Sequence, residues 1–163
     1  MRTLMLVSLM AALGCASRGT PVAVEGPVPD VGQLVGEWWG SFESGATGRA
    51  GSIRFSLAAV ADTAWGDVVM QPNDTLQFGA SGRPSMPPPA ALVLPIRFVR
   101  VEGDRVRGLL EPYRDPNCGC MVITTFEGTI RGDVISGRYL TEHRDHARVV
   151  EGTWEVRRQR PRV

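Results

Sequence analysis

Apolar and polar side chains alternate with a period of two along most of the chain. In the last segment, Val150, Gly152, Trp154 and Val156 share one face, while polar residues occupy the other. Proline or glycine interrupts almost every window long enough for a helix, so the alternation predicts strands. The candidate strands are residues 37–43, 51–61, 64–71, 91–101 and 105–113, followed by three more that contain Phe126, Tyr139 and Trp154. A single helical turn is predicted at residues 31–35, capped by Asp30.

A short internal repeat marks the turns between these strands. Residues 103–110 and 132–139 both begin with Gly-Asp and carry a second glycine in the middle of the following strand. Gly-Asp suits the positive φ of tight hairpins, and the second glycine leaves room where a curled sheet closes. The chain is therefore predicted to be all-β, an antiparallel up-and-down meander of about eight strands closed into a small barrel. A β-sandwich is the alternative.

Composition and charge narrow the classes of function. The chain has 163 residues, 43% of them hydrophobic, which is enough core for one domain. Its 18 basic and 17 acidic residues leave a formal net charge of +1. This balance argues against nucleic acid as a partner, because nucleic-acid binders concentrate positive charge. Motifs for nucleophilic catalysis, phosphate binding and metalloprotease chemistry are missing from the sequence, so a non-enzymatic protein is expected.

The N-terminus has the layout of an export signal. Arg2 is followed by an apolar stretch at residues 4–13, which is too short to span a bilayer, and then by Gly14 and Cys15. Ala12-Leu13-Gly14-Cys15 resembles the lipobox of bacterial lipoproteins. The resemblance implies cleavage before Cys15 and anchoring in the bilayer through acyl chains such as palmitate on that cysteine. Ala16 and Ser17 follow, without an aspartate that would retain the protein in the inner membrane, so an outer-membrane lipoprotein facing the periplasm is expected.

The chain then divides into four parts. Residues 1–14 are the predicted signal peptide, and residues 15–30 the lipidated cysteine with a flexible tether. Residues 31–158 are predicted to form a single barrel domain, with a Pro- and Gly-rich loop at 72–90. Residues 159–163 are a basic tail.

A second resemblance concerns the barrel itself. Gly36-Glu37-Trp38, at the start of a strand, is similar to the Gly-x-Trp motif of lipocalins. In that family the tryptophan plugs the closed end of an eight-stranded barrel and an arginine after the last strand lies across its ring. The resemblance implies that Trp38 packs at the barrel end under Arg157 or Arg158, with Arg157 taken as the first choice. It also implies a small apolar ligand, for which Phe126, Tyr139 and Trp154 are the inward-facing candidates.

Cysteine and histidine side chains are predicted to gather at one hairpin. A two-residue turn at Arg131-Gly132 pairs Ile130 with Asp133, which places Cys120 opposite His143. The candidate metal ligands are Cys118, Cys120, His143 and His146, a set that suits zinc. A Cys118–Cys120 disulfide is the first choice over a metal site, because thiols tend to pair in an oxidising compartment. Free thiols with solvated histidines are the remaining interpretation.

These observations favour a membrane-anchored lipoprotein that binds a small apolar molecule. Two alternatives stay open. One is a structural or interaction lipoprotein of the envelope without a ligand. The other is a protein that handles metal or redox chemistry through Cys118, Cys120, His143 and His146.

Overall fold

The computed structural model describes residues 20–57, 63–71, 92–115, 118–145 and 147–160. These residues form ten strands and one short helix, α1 at Val28–Gly32. The strands are β1 Pro21–Glu25, β2 Gly36–Ser44, β3 Arg49–Leu57, β4 Thr63–Gln71, β5 Leu92–Glu102, β6 Arg105–Leu110, β7 Tyr113–Arg114, β8 Met121–Arg131, β9 Val134–His143 and β10 Val149–Arg158.

The strands from β2 onward form a closed barrel. β2 to β6 pair antiparallel in chain order, β6 pairs with β8, and β8 to β10 continue the meander. β10 then pairs antiparallel with β2, with Trp154 opposite Phe42 and Arg158 opposite Trp38. The prediction of an all-β chain and a small closed barrel is confirmed, and the sandwich alternative is set aside.

β1 adds a ninth strand that the sequence prediction placed outside the domain. It pairs antiparallel with β4 and parallel with β5, so the barrel is mixed rather than purely antiparallel. Val22 and Val24 are 0% and 6% exposed and contribute to the core. The prediction of a flexible tether over residues 15–30 is therefore wrong from Pro21 onward, and the domain begins before residue 31. The physical reason is that burial of alternate valines favours pairing in the sheet.

One end of the barrel is closed by α1 and by the chain that follows it. The helix begins at Val28, three residues before the predicted turn, and Asp30 accepts a hydrogen bond from the backbone N–H of Gly103 at 2.8 Å. Leu34 is 1% exposed, and its carbonyl accepts a hydrogen bond from Nε1 of Trp38 at 2.8 Å. Trp38 is 0% exposed, so this ring and Leu34 fill the closed end.

The cation over Trp38 belongs to Arg158. Its guanidinium carbon lies 4.2 Å from the ring centroid, and its nitrogens donate to the carbonyls of Gln33, at 2.8 Å, and Val35. The prediction of Arg157 in this role is wrong. Directly opposed residues share a face of the sheet, and Trp38 is opposed by Arg158. Arg157 instead faces solvent and forms an ion pair with Glu155 at 2.8 Å.

The strand register of the β8–β9 hairpin is shifted by two residues from the predicted one. Ile130 pairs with Ile135, not with Asp133, because Gly132 and Asp133 make the turn between Arg131 and Val134. Gly132 has a φ of 62°, which glycine adopts at little cost. The prediction that Cys120 lies opposite His143 is therefore wrong, since the paired residue is Val122.

Several predicted features lie outside the described residues. They are the export signal with Cys15, the loop at 72–90, His146, and residues 161–163 of the basic tail. Within the part of the chain that the structure describes, no helix has the length and apolar character needed to cross a membrane.

Candidate functional site

A cavity runs through the barrel from Leu34 at the closed end to Arg49 at the opposite end, which we call the far end. The far end is formed where β2 ends at Ser44, β3 begins at Arg49, and β9 ends at His143. The space between the lining side chains measures about 940 Å³, including the part open to solvent. The lining is mostly aliphatic and aromatic and includes Ile53, Phe55, Val68, Leu94, Ile96, Val99, Val106, Leu110, Ile135, Val150 and Val156.

The three predicted ligand-contacting residues all line this cavity. Phe126 on β8, Tyr139 on β9 and Trp154 on β10 come from consecutive strands of the wall. Phe126 and Trp154 pack edge to face, with centroids 5.8 Å apart and an interplanar angle of 83°. Tyr139 packs in the same way against Phe42, at 5.8 Å and 89°. The aromatic side chains therefore form two paired clusters on the wall.

Glycines make room for these rings on the wall of the barrel. A methyl group added at Gly128 would lie 2.6 Å from Cζ2 of Trp154. Glycines stand under two other rings of the lining in the same way, Gly152 under Tyr139 and Gly51 under Phe42. Rings that cover glycines lie along the wall, and this leaves the lumen open.

Hydrogen bonds fix the orientation of Trp154. Its Nε1 donates to two backbone carbonyls, those of Glu127 on β8 and Arg138 on β9, each at 3.1 Å. The indole of Trp154, which belongs to β10, thus extends across β9 as far as β8. A ring held by two neighbouring strands is a rigid part of the cavity wall.

Hydroxyl groups of the lining bond to one another near the far end. Thr124 and Thr141, 5% and 4% exposed, face each other across β8 and β9 with their Oγ1 atoms 2.8 Å apart. The hydroxyl of Tyr113 lies 3.3 Å from Oγ1 of Thr124. Burial raises the pKa of the Tyr139 phenol above its usual value, although a hydrogen bond with Ser44 partly offsets this. The phenol therefore stays uncharged at neutral pH.

A buried ion pair ties two distant segments together at the far end. Nη1 and Nη2 of Arg49 bond to the two carboxylate oxygens of Asp115, at 2.7 and 2.5 Å. Asp115 is 1% exposed, and Nε2 of His143 lies 3.5 Å from its Oδ2. Such bidentate pairs are strong and directional. Arg49 lines the cavity, but its charge is matched by Asp115.

Sequence reasoning missed both members of this pair. Arg49 and Asp115 are 66 residues apart, and a carboxylate between two strands has the appearance of an ordinary solvated loop residue. The nearest available signal was the position of Asp115 shortly before Cys118, in the segment already singled out for its cysteines.

The two cysteines form a disulfide, which was the first choice for this cluster. The bond joins Cys118, which is exposed, to Cys120, which is 6% exposed. The two sulfur atoms and one ring nitrogen of His143 all lie within 4.8 Å of one another. Three of the four predicted metal ligands are thus brought together, although not through the predicted register, and His146 is outside the described residues.

Comparison with known protein families, characterised proteins and solved structures gives no match for this chain. The site is therefore interpreted from its own chemistry. It consists of an apolar cavity, a far end where polar groups bond to one another, and a Cys-Cys-His cluster beside a buried carboxylate.

Proposed function

We propose that the protein is a bacterial envelope lipoprotein whose barrel binds one small apolar molecule. The observation that carries the proposal is the cavity, which is closed at one end by Leu34 and lined mainly by aliphatic and aromatic side chains. Binding sites for small molecules have this character, since they are concave and mostly apolar with a few polar groups.

The arrangement of the lining favours a ligand over a purely structural barrel. Empty space in a core forfeits packing contacts and destabilises the fold. Here Gly128 and Gly152 allow large rings to lie along the wall, whereas larger residues at these positions would push the rings into the lumen. When another molecule fills a lumen that is kept open in this way, it restores those packing contacts and stabilises the barrel.

The ligand is proposed to be apolar because the polar groups of the lining already have partners. Arg49 is bonded to Asp115, and Thr124 to Thr141. Micromolar binding corresponds to about 8 kcal/mol. At about 25 cal/mol per Å², this requires burial of roughly 330 Å² of apolar surface, and more once the cost of association is included. Fatty acyl chains and similar lipids meet this requirement.

The envelope part of the proposal depends on the N-terminal sequence. The apolar stretch at residues 4–13 and the lipobox-like Cys15 support lipid anchoring, with the barrel on the periplasmic side of the outer membrane. The resemblance to lipocalins is supported by the packing of Arg158 on Trp38 at the closed end. We propose binding rather than catalysis.

A fluorescent probe that is sensitive to apolar environments tests the binding proposal. The purified protein should bind the probe saturably at micromolar concentration with quenching of tryptophan fluorescence, and palmitate should displace it. Val106→Phe places a ring in the cavity and should weaken binding at least tenfold, since Val106 is a lining residue with 3% exposure.

The matched control is Val149→Phe, at a position that is 54% exposed and should leave probe binding unchanged. Native mass spectrometry of the purified protein gives an independent readout, because it reports a copurified molecule by its mass. Probe binding that appears only when the protein is partly unfolded would contradict the proposal and favour the structural alternative.

A further inference from the structure

The Cys-Cys-His cluster at the far end has the dimensions of a small metal site. The sulfur atoms of Cys118 and Cys120 and one ring nitrogen of His143 lie within 4.8 Å of one another. In tetrahedral zinc sites with these ligands, neighbouring ligand atoms are about 3.3–3.8 Å apart, given Zn–S near 2.3 Å and Zn–N near 2.0 Å. Shifts of about an ångström would therefore complete the site, once the bond between the sulfur atoms is broken.

The hydrogen bonding of His143 is that of a metal-binding histidine. Its Nδ1 lies 3.0 Å from the backbone carbonyl of Arg148, and because a carbonyl only accepts, Nδ1 carries the hydrogen and donates. Histidines that bind metals characteristically donate their second nitrogen to a carbonyl or carboxylate in this way. Nε2, which lies 3.5 Å from Oδ2 of Asp115, is the nitrogen that can bind an ion, and the side chain is only 6% exposed.

Backbone hydrogen bonds hold the cysteine segment independently of the disulfide. The N–H of Asp115 donates to the carbonyl of Cys120 at 2.9 Å, and the N–H of Gly119 donates to the carbonyl of Asp115 at 2.7 Å. Arg114 adds a side-chain bond to the carbonyl of Gly119 at 2.9 Å. Both cysteines should therefore stay near His143 after reduction, and the exposure of Cys118 gives a reductant access to the bond.

We propose that the disulfide and a zinc site are two states of this cluster. A dithiol reductant transfers two electrons and two protons to the Cys118–Cys120 bond and becomes a disulfide itself. One zinc ion then binds the two thiolates and Nε2 of His143, and the two thiol protons are released. Three protein ligands leave the fourth position of the tetrahedral ion to water, as in zinc sites that keep an open position. The site is separate from the proposed binding of an apolar molecule.

Cobalt(II) is a suitable probe because it shows both coordination geometry and sulfur ligation in its spectrum. The purified full chain is reduced with a phosphine, which takes up oxygen from water as it reduces the disulfide, and is then titrated with cobalt under anaerobic conditions. The visible bands of tetrahedral cobalt and a sulfur-to-cobalt charge-transfer band should saturate at about one ion per chain, and zinc should abolish both. The untreated oxidised protein should show neither band.

Substitutions identify the ligands. The double variant Cys118→Ser/Cys120→Ser should lose the charge-transfer band, which also excludes Cys15 as its source. His143→Gln should bind cobalt at least tenfold more weakly. His146→Gln, three residues further along the chain, is the matched control and should bind normally.

Four results would overturn the proposal or its ligand set. The first is a reduced protein that keeps its β circular dichroism but gives no cobalt bands, and the second is a reduced protein that loses this β signal. The third is an unchanged spectrum in His143→Gln. Loss of the bands in His146→Gln would overturn the three-residue ligand set with water.

Discussion

Trp154 on β10 reaches across Gly137 on β9 and covers Gly128 on β8. A methyl group at Gly128 would lie 2.6 Å from Cζ2 and 3.0 Å from Cη2 of the indole. Because Trp154 is also bonded to carbonyls on β8 and β9, the ring has little freedom to move along the wall. The open lumen therefore depends on the absence of a side chain at Gly128.

The variant Gly128→Ala tests this dependence. Crowding should destabilise the barrel by about 1–3 kcal/mol and turn the indole toward the lumen, which weakens binding of an apolar probe. Urea unfolding and probe titration measure the two effects. Gly45→Ala is the control, because no atom lies within 4 Å of the added methyl group there. Equal stability and equal probe affinity in the two variants would contradict this explanation of the cavity.

Trp38→Ala should be among the most destabilising substitutions in the barrel. The ring is 0% exposed, fills the closed end beside Leu34 and supports Arg158, so its loss should cost about 3–5 kcal/mol. Trp39→Ala provides the comparison, since Trp39 is 45% exposed on the outer surface. Denaturant midpoints of the two variants check the difference, and similar midpoints would show that Trp38 is not the plug of the closed end.

Asp115→Ala should destabilise the far end by about 3–5 kcal/mol, because the Arg49 guanidinium loses both of its carboxylate bonds. The comparison is Glu111→Ala. Glu111 is half exposed and pairs with Arg97 at 3.6 Å, so its loss should cost less than about 1 kcal/mol. Combining Arg49→Met with Asp115→Leu should recover much of the stability in thermal unfolding. If the double variant were no more stable than Asp115→Ala, an unpaired charge would not be the cause.

Alkaline pH should destabilise the protein through Tyr139. Burial raises the pKa of this phenol in the folded state above its usual value of 10.0. Above pH 10 the unfolded chain releases the proton while the folded chain keeps it, so stability is full below pH 10 and falls as pH rises toward the folded pKa. Urea unfolding on either side of pH 10 should show this decline in the native protein and a smaller one in Tyr139→Phe. An equal decline in both would mean that Tyr139 is not responsible.

Cys15→Ser should block lipid attachment and processing of the precursor. Without the thiol, the acyl chains have no attachment point, so uncleaved precursor should accumulate in the producing bacterium. Inhibition of lipoprotein signal peptidase should cause the same accumulation of precursor when the protein carries its native Cys15. Electrophoretic mobility and labelling with radioactive palmitate measure the outcome. Normal processing of the Cys15→Ser variant, with release of a soluble protein, would contradict lipid anchoring.

The strands of the meander were predictable because their alternation is local. Trp154, Val156 and their neighbours repeat with a period of two, and Gly-Asp marks the turns. β1 was missed because its alternation is only five residues long and lies among prolines, and its parallel partner β5 is far away in the chain. Pairing of this kind is decided by tertiary burial of Val22 and Val24, which local patterns do not show.

The candidate site was only partly predictable. Inward-facing Phe126, Tyr139 and Trp154 follow from alternation, and the proximity of Cys118 and Cys120 follows from their spacing. The predicted register of the β8–β9 hairpin was wrong because the turn consists of Gly132 and Asp133, one residue later than predicted. Moving the turn of a hairpin changes every pair of opposed residues. The Arg49–Asp115 pair depends on barrel closure, so no local sequence pattern predicts it.

The start of β1 at Pro21 limits how far this barrel can stand from a membrane. Residues 16–20 alone separate that strand from Cys15, and a fully extended chain of this length covers at most about 20 Å. On the proposal that Cys15 carries the lipid, the barrel wall stays within that distance of its own leaflet. With so short a linker, the protein would exchange its ligand with the adjacent bilayer and could not carry the ligand across the periplasm.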